Sequence, residues 1–170
     1  PLAVLITGGT GWIGSHIARE LVSRDQKVVT FDSTRGKHRL EGVPNVQMVK
    51  GDILDFPGLY EAITRNEVTA IVHMAAILKG DSLRNPRKLQ QVNCEGTVNV
   101  LEAARLAGVS RVVYGSSTVV YGLSAQDPTT EECPTAPADI YGATKVLGEA
   151  YLREYNRQYG LDFAAKELYK

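Results

Sequence analysis

Cysteine is nearly absent: Cys94 and Cys133 are the only two in 170 residues, too few and too scattered for a disulfide framework or a zinc site. An excess of either charge is also missing. Lys plus Arg and Asp plus Glu number 19 each, so the formal net charge is zero and no basic field points to nucleic acid. No run of like charges suggests a membrane patch, no apolar stretch nears a membrane span, and none has the layout of a signal peptide. No internal repeat or low-complexity segment interrupts the chain. What remains, 44% hydrophobic and 22% charged, is the composition of a cytoplasmic-type globular protein, long enough for one domain with a proper core. Both ends read as cut. There is no initiator Met, and Lys166 to Lys170 is polar with no packing pattern. Residues 1–165 are therefore expected to form the domain and 166–170 a terminal tail or cloning scar.

The informative stretch is Leu2-Ala3-Val4-Leu5-Ile6-Thr7-Gly8-Gly9-Thr10-Gly11-Trp12-Ile13-Gly14. Its uncharged apolar start reads as a strand buried on both faces of a parallel sheet. Glycines at 8, 11 and 14 follow, then a helical pattern at Ile13, Ile17, Ala18, Leu21 and Val22. Strand, glycine-rich turn and helix make a phosphate cradle. Gly8 allows the turn, Gly11 lets the backbone approach a pyrophosphate, and Gly14 lets helix and strand pack closely. The helix start, where Trp12 and Ile13 sit, then offers unpaired N–H groups and partial positive charge to the anion. The string Thr7-Gly8-Gly9-Thr10-Gly11-Trp12-Ile13-Gly14 closely resembles the extended short-chain dehydrogenase/reductase family of nucleotide-sugar epimerases and dehydratases. That resemblance implies a Rossmann fold and a dinucleotide cofactor.

Further along, Lys27 to Asp32 reads as a second strand. An acidic residue at its end suits a pair of ribose hydroxyls and would repel a 2′-phosphate, so Asp32 argues for NAD over NADP. Arg35 and Lys37 nearby could soften that preference. Asn45 to Lys50 reads as a third strand, and Gly51-Asp52-Ile53 resembles the family element whose aspartate meets the adenine amino group. Residues 56–66 read as a helix with Asp55 as N-cap, and Thr69 to His73 as a fourth strand. The small Ala75 and Ala76 at its edge leave room for cofactor. His73 is similar to a family histidine that is usually structural. One helix is expected over about 86–107 with Gly108 as C-cap, a strand over Ser110 to Tyr114, an irregular loop over 122–138 with Pro128, Pro134 and Pro137, and a helix over about 139–159 ended by Gly160. Strand and helix alternate throughout, which predicts an α/β three-layer, doubly wound parallel sheet with a sixth strand starting near Leu161.

Tyr141 and Lys145 form a Y-x-x-x-K pair, one helical turn apart on one face. A tyrosine is a poor base near neutrality, but an adjacent ammonium and a positive nicotinamide would favour the phenolate. Lys145 can also hold the nicotinamide ribose. Ser116-Ser117-Thr118-Val119-Val120-Tyr121-Gly122, expected just past the fifth strand, resembles the family's serine element. Ser117 thereby matches the serine that polarises the substrate oxygen, with Thr118 a second hydroxyl. Asn93, in Val92-Asn93-Cys94-Glu95-Gly96-Thr97, matches the family's active-site asparagine, and it is equally readable as a packing hydrogen bond. Six motifs fall in family order across residues 2 to 163.

Family members continue well beyond this length into a small substrate domain, which is missing here. The resemblance implies an NAD-dependent epimerase, dehydratase or reductase acting on a nucleotide sugar. The second reading is a dinucleotide-binding or folding-only module that self-associates without turnover. The resemblance also implies a homodimer or higher oligomer through the two long helices.

Overall fold

The computed structural model describes residues 2–33, 37–78, 80, 84–124 and 129–168, so Arg35, the Lys37 side chain, Pro128, Tyr169 and Lys170 lie outside the described residues. β1 (Ala3–Thr7) is buried along its whole length, as its uncharged sequence requires. It takes β2 (Lys27–Asp32) on one side and β4 (Ala70–His73) on the other. β3 (Val46–Lys50), β5 (Arg111–Ser117) and β6 (Asp162–Leu168) complete a six-stranded sheet in the order β3-β2-β1-β4-β5-β6, every pair parallel. The chain winds outward from β1 to β3, then returns to β1's other side. Loops after β1 and β4 therefore diverge and open a crevice at the carboxyl edge.

Register aligns that edge. Thr7 lies opposite both Phe31 and His73, and His73 opposite Tyr114. β5 overhangs its neighbour β4 by Gly115, Ser116 and Ser117, and these three pair with Lys166, Glu167 and Leu168 of β6. Two sequence expectations change here. Ser116 and Ser117 lie inside β5, not just past it. Lys166 to Leu168 belong to the sheet, because a backbone ladder recruits residues without needing an apolar pattern.

One face of the sheet packs Leu5, Val29, Phe31, Ile71, Val112 and Tyr114 under α2 (Phe56–Arg65), α4 (Gly96–Leu106) and α5 (Ile140–Tyr159). The other packs Val4, Ile6 and Val28 under α1 (Trp12–Ser23) and the turn at Lys37–Leu40. α1 does not cover everything on its side. In β4, Ala70 and Val72 stay half-buried while Ile71 and His73 are buried, and in β5 Val113 is half-buried between buried neighbours.

The helix expected over 86–107 is interrupted. α3 (Pro86–Gln90) gives way to a π-helical turn at Gln91–Glu95 before α4 begins. Asp55 caps α2 by accepting from the Gly58 N–H, as expected, and Asp139 caps α5 through the Gly142 N–H. Gly160 ends α5 in the left-handed conformation.

Candidate functional site

The glycine loop separates into positions where a side chain would collide with backbone and one where it would only crowd it. Gly8 has φ +67, and a Cβ there would meet the Ala75 backbone N at 2.8 Å. At Gly14 a Cβ would sit 2.3 Å from Gly8 O. At Gly11 the same atom would find only Gly8 O within 4 Å, at 3.1 Å, and the backbone there is ordinary extended chain. Gly11 is also the N-cap residue of α1, and no side chain caps that helix start. An uncapped helix start beside an unfilled backbone cradle suits a phosphate. Trp12 is 70% exposed at the rim, its ring 5.0 Å from that of His16, while Ile13 is half-buried.

Asp32 closes the same loop from β2. Its Oδ2 accepts from the Thr10 N–H at 3.1 Å and from the Thr10 hydroxyl at 2.7 Å. The carboxylate is thus fixed beside the glycine loop, at the carboxyl edge of the sheet. Ala75 and Ala76 are half-buried on the facing loop, and the Ala75 N–H donates to Thr7 Oγ1 at 3.3 Å. Asp52 is exposed, and its Oδ1 accepts from the Leu54 N–H at 3.0 Å. The Ile53 side chain is buried in the core and its carbonyl accepts from Asn99 Nδ2 at 3.0 Å.

At the overhanging end of β5 the Ser117 hydroxyl lies beside the Tyr141 phenol and favours its ionised form. Tyr141 is held above its ordinary pKa by burial, an effect that Ser117 opposes and the Asp139 charge reinforces. The expected lowering by Lys145 is not found in this arrangement. Lys145 is 4% exposed, donates to Gly115 O at 2.8 Å and lies over the Tyr114 ring at 4.8 Å, farther from the Tyr141 ring at 5.8 Å. Burial pulls its own pKa down to about 8, with Glu149 working against that pull. Thr118 opens the 3₁₀ segment Thr118–Ser124, half-buried next to Ser117.

Asn93 stands on the π-helical turn, where it braces other groups. Its Oδ1 accepts from the Ile77 N–H at 2.8 Å, and its Nδ2 donates to Ile77 O at 3.0 Å and to Thr144 Oγ1 at 3.2 Å. Thr144 in turn donates to Tyr141 O. One amide therefore ties the loop after β4 to the helix carrying Tyr141. His73 sits below this clamp in a directional chain. Thr97 donates to Asn93 O, so it accepts from His73 Nε2, and in the neutral ring Nδ1 is left to accept from the Thr7 hydroxyl, which itself accepts from the Ala75 N–H. Burial, assisted by the Lys145 charge, lowers the imidazole's pKa to about 3 and keeps it neutral, which fixes this tautomer.

The sequence reading did not single out Glu149, Ser116, Thr7 or Thr97. Glu149 was findable: it follows Lys145 by one helical turn and interrupts a face that is otherwise buried. The hydroxyls were not, because Ser and Thr carry no pattern until a fold aims them.

Residues 4–168 match the NAD dependent epimerase/dehydratase family. The chain belongs to that family. A UDP-glucose 4-epimerase of Rhizobium leguminosarum bv. trifolii is 36% identical over 158 residues, covering 92% of this chain and 48% of that protein. The crystal structure of a Brucella ovis UDP-glucose 4-epimerase in complex with NAD superposes with a TM-score of 0.90 at 34% identity, covering 97% of this chain and 51% of the other. A Thermotoga maritima UDP-glucose 4-epimerase solved with UDP-glucose gives a TM-score of 0.91 at 26% identity, covering 98% and 55%. The chain spans about half the length of the relatives it matches. Among the described residues no helix is long and apolar enough to cross a membrane.

Proposed function

We propose that this chain is the NAD-binding part of an epimerase/dehydratase-type oxidoreductase acting on a nucleotide sugar or a related hydroxyl or carbonyl substrate. The uncapped start of α1, the unfilled space at Gly11, Asp32 at the ribose end and the small Ala75 and Ala76 all suit NAD. The solved relatives named above carry NAD in one case and UDP-glucose in another, which supports the cofactor and the substrate class. Bound NAD supplies the hydride acceptor and, through its positive nicotinamide, favours the phenolate form of Tyr141.

The chain's own residues handle the proton. Ser117 orients the phenol of Tyr141 and shares the substrate oxygen with it. Tyr141 takes the proton from that oxygen as the carbon is oxidised and returns it on reduction. Lys145 holds the nicotinamide ribose, and Asn93 fixes the helix and loop that flank the reacting carbon. The observation that carries this reading is that Ser117, on the overhanging end of β5, acts on the Tyr141 phenol at the carboxyl edge of the sheet.

Turnover by this stretch alone is expected to be small. Holding reactants in line is worth roughly 7–11 kcal/mol of barrier, and the chain spans only about half the length of its relatives. The test is NADH formation or epimer exchange over UDP-, GDP- and dTDP-sugars, with Tyr141→Phe alongside. NADH binding, read by quenching of Trp12, should be present but weak. Robust activity that vanishes in Tyr141→Phe would show the site to be whole, and no NADH binding would remove the reading.

A further inference from the structure

Helix α5 buries two opposite charges one turn apart. Lys145 is 4% exposed and Glu149 is 7% exposed. A lone ammonium in such a place would discard its proton, and a lone carboxylate would take one up. Consecutive residues of β5 hold the pair in place: Gly115 O accepts from Lys145, and the Ser116 hydroxyl donates to Glu149 Oε1 at 2.5 Å. Both members are therefore anchored to the same overhanging end of β5 that carries Ser117.

The other charged and titratable groups around the pair do not replace Glu149. From β4, His73 is neutral; a charge there would oppose the ammonium. From β5, Tyr114 presents its ring to Lys145, and burial keeps its phenol protonated far above the usual range. From the π-helical turn, Cys94 bears on Tyr114, and burial raises its thiol above the ordinary value. On α5 itself, Tyr141 is protonated and Arg153 is positive, its Nη1 lying 3.8 Å from Glu149 Oε2. Arg153 is more than half exposed, so solvent screens it.

We propose that Glu149 is a positioning residue for Lys145: its carboxylate, clamped by Ser116 one turn along the helix, keeps the ammonium charged inside the protein. The proposal rests on the role assigned to Lys145 above, since a neutral amine could not donate its full set of hydrogen bonds to a ribose. It also accounts for a buried acid that no other part of the site uses.

The test is a pH titration of the Lys145 13Cε resonance in the cofactor-free protein, for the wild type and Glu149→Gln. The glutamine keeps an acceptor for Ser116 and removes only the charge. The wild-type midpoint should lie near 8, and Glu149→Gln should lower it by about one pH unit or more. A variant that melts earlier but leaves the Lys145 midpoint unmoved would reduce Glu149 to packing and overturn the proposal. If Glu149→Gln does not fold, the wild-type Glu149 carboxyl carbon decides. Its resonance should shift at the Lys145 midpoint, and a flat trace across that range overturns the proposal. Because no cofactor is present, the result is independent of whether NADH binds, so failure here and failure of the proposed function are separable.

Discussion

At the scale of single residues, His73 should give the protein a measurable acid sensitivity. The unfolded chain takes a proton there near 6.5, whereas the folded chain resists it down to about 3. The stabilisation is thus complete above 6.5 and is lost as the pH falls through that window. The wild type should lose up to about 1.4 kcal/mol per pH unit from this group. Urea unfolding at about pH 7 and about pH 5 checks it, and His73→Gln should show a smaller difference between the two. Equal losses in both proteins would place the acid sensitivity elsewhere. The glycine loop offers a second residue-level test. Gly14→Ala forces a methyl group onto Gly8 O and should destabilise the fold by about 1–3 kcal/mol or more. Gly11→Ala should fold nearly as well as the parent yet weaken NADH binding, because its methyl group enters the open cradle. Thermal melts paired with Trp12 quenching distinguish the two, and a Gly11→Ala protein that binds NADH normally would contradict the cradle's assignment.

At the scale of elements, the π-helical turn at Gln91–Glu95 is the feature that the apolar spacing concealed. Its extra residue lets Asn93 bond both the N–H and the carbonyl of Ile77 while still reaching Thr144. Asn93→Ala leaves the paired Ile77 backbone groups without partners and should cost about 2–4 kcal/mol. Hydrogen exchange at the Ile77 amide should accelerate well beyond the global change in stability. If Ile77 exchange tracks only global unfolding, Asn93 is not the clamp between the β4 loop and α5. The spacing of apolar residues from Leu89 to Leu106 is nevertheless legible as helix, because one π turn shifts the phase by a single residue and leaves both flanks amphipathic. β5 runs past its apolar stretch for a related reason: its last residues, Gly115 to Ser117, are small or polar, and only pairing with β6 identifies them as strand.

At the scale of the whole molecule, the covering of the sheet is lopsided. Ala70, Val72 and Val113 are half-buried on the side where α1 reaches only part of the sheet. Leu106 on α4 and Leu147 and Tyr159 on α5 are exposed on the opposite layer. Such surface favours association, and a second copy of the chain is the partner expected to cover it. Sedimentation at micromolar concentration should show a dimer or larger species, and replacing Leu147 with Glu should shift it towards monomer if α5 forms the contact. A clean monomer of the parent chain would remove this expectation.

The sequence alone determined the order of elements, the parallel winding and the place of the glycine loop before α1. Those rest on local signals: an uncharged strand, glycines at fixed intervals, a cap at Asp55, and apolar residues at helical spacing. It also brought Ser117, Tyr141 and Lys145 onto one list, because each sits in a short motif. Only the tertiary structure decided what those residues touch. Lys145 turns from Tyr141 towards Gly115 O, Asn93 spends its amide on bracing, and Glu149 and Ser116 join the site. These outcomes depend on distances across the sheet and between helices, where a burial cost or a hydrogen bond is set by neighbours remote in the chain. No local spacing encodes them, since the same helix on a different strand would face its lysine with different partners.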